Sequence, residues 1–127
     1  MKYYCCDICG NMFEVIDDFE VVPMCCGTEM RILTPNKDDT GSLEKHVPVY
    51  TKDGFVVRVK VGETSHPMAP EHYVEWIELE TNKGTYRKYL QPFDEPEAVF
   101  VLDKDEEIVN IFEHCNIHGL WVNNETK

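Results

Sequence analysis

The sequence predicts an all-β protein in two parts, a small metal-bound lobe over residues 1–36 followed by a β-sandwich over residues 37–127. Three observations carry this expectation. Of six cysteines, all but Cys115 lie in the first 26 residues. Beyond them the chain breaks into short segments of alternating or β-branched apolar residues at regular spacing. No segment sustains a helical period.

In the lobe, residues 3–6, 12–16 and 30–33 read as short extended pieces. Their apolar content is thin, so a metal must supply much of the folding free energy. Cys6-Asp7-Ile8-Cys9-Gly10 has the two-residue gap that points two thiolates at one tetrahedral ion, with Gly10 easing the turn. Cys25-Cys26-Gly27 offers two more sulfurs. Adjacent residues of an extended chain diverge, so a shared ion requires a kink, which Gly27 permits. Disulfides are the competing reading, but a bond between neighbours 25 and 26 would be strained. Cys5 is left over: in an extended chain it faces away from Cys6, and it is a competitor for the same role, but only Cys6 gives the two-residue gap to Cys9.

Residues 34–42, polar and rich in chain breakers, read as a linker. Phe55, Val57, Val59 and Val61 alternate with Val56, Arg58 and Lys60, which predicts a half-exposed strand. Residues 73–81 and 85–90 flank Asn82-Lys83-Gly84, a hairpin signal. Residues 98–102 and 107–113 complete the pattern of a sandwich. Phe55, Tyr73 and Trp76 are expected in its core, and Trp121 beneath the 115–118 loop. Asp17-Asp18 and Asp105-Glu106-Glu107 read as solvated turns.

The sandwich also carries donors. Cys115-Asn116-Ile117-His118 places a thiolate and an imidazole three residues apart, while His46, His66 and His72 lie on proline-stiffened segments. Together they make five donors, which leave an octahedral ion one open position.

These two constellations resemble desulfoferrodoxin, the two-iron superoxide reductase family, along nearly the whole chain. The segments that carry the likeness are Cys6-Asp-Ile-Cys9-Gly, Cys25-Cys26-Gly, Glu44-Lys45-His46-Val-Pro-Val, His66-Pro-Met with His72, and Cys115-Asn-Ile-His118-Gly-Leu-Trp. Two positions depart from the pattern, the extra Cys5 and His114 where a tyrosine is expected. The resemblance implies a desulforedoxin-like lobe with iron on Cys6, Cys9, Cys25 and Cys26, and an immunoglobulin-like sandwich. There a second non-haem iron has His46, His66, His72 and His118 as equatorial ligands and Cys115 as axial ligand. It implies one-electron reduction of superoxide to hydrogen peroxide, Glu44 at the sixth position of oxidised iron, Lys45 drawing in the anion, a homodimer, and an electron donor such as rubredoxin.

Charge and hydropathy bound the alternatives. With 24 acidic against 12 basic residues the net charge is -12, which argues against nucleic acid or an anionic membrane as partner. No apolar run is long enough to cross a bilayer. Free thiols and ferrous iron fit a cytoplasmic, reducing compartment. The rival classes are a zinc-binding interaction protein and a non-catalytic electron carrier.

Overall fold

A computed structural model describes residues 1–40 and 45–123. The described residues form strands and no helix, in two compact units, Met1–Thr34 and Pro35–Lys127.

In the first unit β1 (Tyr3–Cys5) pairs antiparallel with β2 (Met12–Glu14) and β5 (Arg31–Ile32). A hairpin of β3 (Met24–Cys25) and β4 (Thr28–Glu29) stands beside them. Strands this short bury little: Tyr4, Cys6 and Met30 form the small core, with Val15 and Cys25 packed on it. Ile16, Phe19 and Val21 are largely exposed. The sequence expectation caught β1, β2 and β5 but not the β3–β4 hairpin, whose two-residue strands are too brief to show a period.

The second unit holds two antiparallel sheets. One orders β10 (Glu97–Val101), β7 (Val56–Val61) and β6 (Pro48–Asp53). The other orders β12 (Gly119–Asn123), β11 (Ile108–Cys115), β8 (Val74–Thr81) and β9 (Thr85–Tyr89). Val57, Val59, Val61, Ala98 and Phe100 from the first meet Val74, Ile77, Leu79 and Ile111 from the second in one buried cluster. This is a sandwich core, with period-two alternation turning the apolar set inward.

Several expectations are corrected. Phe55 lies in the turn before β7 and is 57% exposed, because the β6–β7 turn takes Gly54 and Phe55 out of the ladder. Trp76 is buried as expected, and it stacks on His114 at 5.6 Å with the Arg87 guanidinium over its ring. Glu106 is not solvated. It is buried and accepts hydrogen bonds from the Thr81 and Tyr86 hydroxyls and the Asp103 amide. Residues 35–40 are no free linker either: Asn36 donates from its amide to Leu120 O and accepts from Val122 N, both at 2.9 Å.

Candidate metal centres

The first centre is made by two turns. Cys6 and Cys9 lie on a tight loop closed by Gly10 N donating to Cys6 O at 2.9 Å, with Gly10 in the left-handed region at φ 79°. Amides point at the sulfurs, Cys9 N at Cys6 Sγ (3.5 Å) and Asn11 N at Cys9 Sγ (3.4 Å). The kink needed at Cys25-Cys26 is the β3–β4 loop itself. Cys26 (φ 53°) and Gly27 (φ 77°) are both left-handed, as a two-residue hairpin loop demands.

Cys6, Cys9, Cys25 and Cys26 thereby bring their sulfurs within 4.8 Å of one another. Cys9 Sγ lies 3.7 Å from Cys25 Sγ, and Cys25 Sγ 4.0 Å from Cys26 Sγ. A tetrahedron with metal–sulfur bonds of about 2.3 Å has edges near 3.8 Å, so the donor set fits one thiolate-loving ion. Cys5 stands outside the group, its thiol directed at Cys6 O. The thiol chemistry agrees. The amides of Cys9 and Ile8 pull Cys6 down to about 6. Cys25 is pushed up to about 12 by hydrogen bonding with Cys6 and then Cys9. Cys26 is raised as well, first by hydrogen bonding with Cys9 and then with Cys6, and a bound cation favours the thiolate form of its sulfur ligands.

The second centre is assembled from three loops at one end of the sandwich. His46 precedes β6, His66 and His72 lie between β7 and β8, and Cys115 and His118 bracket the β11–β12 turn. The four imidazoles close a ring: centroids lie 4.6 Å apart for His46–His66, 4.9 Å for His66–His72, 5.0 Å for His72–His118 and 4.9 Å for His118–His46. Cys115 belongs to both donor triads, with His46 and His66 and with His72 and His118. The two triads, joined at Cys115, set nitrogen and sulfur donors around the imidazole ring. The chemistry of that set fits a single first-row transition ion. Cys115, His46 and His66 are buried, while His72 is half-buried and His118 exposed, so the ring opens to solvent along one edge.

Neighbouring groups fix the rings. His66 Nδ1 lies 2.7 Å from Pro67 O; a carbonyl only accepts, so Nδ1 carries the proton and Nε2 keeps its lone pair for a metal. The buried Glu113 carboxylate lies 3.5 Å from His46 Nδ1, and Trp121 stacks on the His46 ring at 4.5 Å. Trp121 Nε1 donates to His118 O at 3.2 Å, and His118 N points at Cys115 Sγ at 3.5 Å, which ties the loop beneath the indole. His72 is set by paired backbone bonds with Ala69, each 3.0 Å. Asn116 ties this loop to the 115–118 turn, accepting from Tyr73 N at 2.9 Å and donating to Glu71 O at 3.1 Å.

Lys45 donates to Asp39 O at 3.1 Å beside a polar cavity of about 280 Å³ whose lining includes Lys37, Asp39 and Glu63. Glu44 lies outside the described residues. His114 turns away from the ring and pairs with Glu75 at 2.7 Å. Sequence reasoning missed Asp39, Glu113 and Asn116. Asn116 sat inside the motif and Asp39 inside a run read as linker; nothing local marked Glu113.

The desulfoferrodoxin family model matches residues 38–124. A desulfoferrodoxin homolog from Archaeoglobus fulgidus is 44% identical over 121 residues, 95% of this chain and 94% of that protein. The desulfoferrodoxin of Syntrophotalea carbinolica is 42% identical over the same shares. Among solved structures, the superoxide reductase from Treponema pallidum superposes with a TM-score of 0.77 at 32% identity, covering 96% of this chain and 95% of that one. With a family model spanning most of the sandwich and relatives matching nearly end to end, the chain belongs to the desulfoferrodoxin family.

Proposed function

We propose that the protein is a superoxide reductase, reducing superoxide by one electron at a non-haem iron held by His46, His66, His72, His118 and Cys115. A second iron sits in the Cys6, Cys9, Cys25 and Cys26 cluster. The observation that carries the reading is the closed ring of four imidazoles sharing one buried thiol. The Treponema pallidum structure, a superoxide reductase by its description, has the same fold over nearly its full length.

Ferrous iron, if held by His46, His66, His72, His118 and Cys115, would supply one electron, and superoxide, one electron and two protons balance hydrogen peroxide. The chain's own residues do the rest. Cys115, as a thiolate, raises electron density at the metal. The solvent-facing edge at His72 and His118 admits a small anion. Against a net charge of -12, Lys45 supplies local attraction. The family resemblance makes Glu44 a candidate further ligand of oxidised iron. The four-sulfur site has no open position for substrate, so the reaction belongs to the second centre.

We further propose a cytoplasmic homodimer taking electrons from a small redox protein such as rubredoxin. A reducing compartment preserves the free thiols, and a second copy would cover apolar surface such as Ile16, Phe19 and Val21. Metal analysis followed by stopped-flow mixing of the reduced protein with superoxide tests the central claim. The expected result is oxidation of iron in the five-donor site with one peroxide formed per iron and no oxygen released. Zinc in that site, or iron that superoxide leaves reduced, would overturn it.

A further inference from the structure

His46 sits on backbone with no regular structure, since residues 45–47 precede β6. No strand ladder holds it there. Asp39 takes that place: its two carboxylate oxygens accept the backbone N–H groups of His46 and Val47, each at 2.8 Å. Its own carbonyl accepts the Lys45 ammonium at 3.1 Å. From another side Gly62 packs against Lys45 so closely that a Cβ there would lie 2.7 Å from Lys45 Cβ.

We infer that Asp39 is a positioning residue of the five-donor centre, clamping two consecutive amides and so fixing the backbone from which the His46 imidazole is presented. The inference rests on the metal-site reading above. Two ionic hydrogen bonds from one carboxylate to adjacent amides define the direction as well as the location of the peptide. Asp39 belongs to neither group of candidate ligands in this unit, so its contribution passes through His46. Asparagine would keep one accepting oxygen and turn an NH2 against the other amide. Alanine would keep neither.

The test uses the full chain loaded with iron at both centres and challenged with a chelator, following each centre by its own ferric spectrum. The four-sulfur centre serves as internal control, because its four donors all belong to the other compact unit, Met1–Thr34. Asp39→Ala is expected to lower iron retention at the five-donor centre roughly 10–100-fold, the range for residues that orient metal ligands. Asp39→Asn should fall between alanine and wild type, and the ferric spectrum of this centre should change while that of the other does not. Wild-type retention and spectrum in Asp39→Ala, or equal loss from both centres, would overturn the inference. Wild-type protein that takes no iron at the imidazole ring would instead overturn the metal-site reading on which it rests.

Discussion

Replacing Gly62 by alanine tests how tightly the ligand loop is seated. A Cβ at position 62 would lie 2.7 Å from Lys45 Cβ and 2.9 Å from the Lys45 carbonyl carbon and oxygen. Carbon atoms prefer about 3.5–4.0 Å, so one side must retreat by roughly 1 Å. Two of these neighbours are backbone, and they belong to the residue just before His46. The residue cannot swing away without moving the ligand. Overpacking of this kind costs about 1–3 kcal/mol. For a domain of this size each kcal/mol lowers the melting temperature by about 4–8 °C. A displacement near 1 Å at a reacting centre costs on the order of 100-fold in rate. Gly62→Ala should therefore melt several degrees lower and lose activity out of proportion to its loss of stability. The assay pairs thermal unfolding by circular dichroism with stopped-flow reduction of superoxide on samples matched for iron. A variant with wild-type melting and wild-type rate would refute the reasoning.

Three further outcomes follow from particular contacts. Lys45→Ala should slow superoxide capture most at low ionic strength, because salt already screens steering; equal rates at low salt would remove that role. The Glu106 carboxyl is held below its ordinary range first by the Thr81 hydroxyl and then by the Asp103 amide. Its stabilisation is thus present above the unfolded value of about 4.3 and lost as pH falls from there through the lower folded value. Glu106→Gln should flatten the acid limb of a melting-temperature profile below about pH 5, and a profile parallel to wild type would contradict this. Trp121→Phe removes the Nε1–H bond to His118 O, worth about 0.5–1.5 kcal/mol. It should leave the N-terminal centre's spectrum intact while broadening that of the five-donor centre; unchanged spectra at both would show that the indole only fills space.

The sequence by itself determined the strand class and picked out the candidate donors. Cysteine spacing at residues 6 and 9, and at 115 relative to His118, is a local property, since the turn that joins two ligands is written in consecutive residues. Alternation through β7 likewise announces its inward face, because a strand's period is two. What the tertiary structure decided is how distant pieces meet. The order of imidazoles around the ring, with His46 beside both His66 and His118, depends on three loops brought to one end of the sandwich. Asp39 reads as a linker acid until the fold lays it under two amides seven and eight positions on. Glu106 reads as a turn acid until Thr81 and Tyr86 close over it. The need for glycine at 62 exists only because Lys45 packs there. Local periodicity and spacing report what a residue does to its neighbours in sequence, whereas burial and the pairing of buried charge are set by segments far apart in the chain.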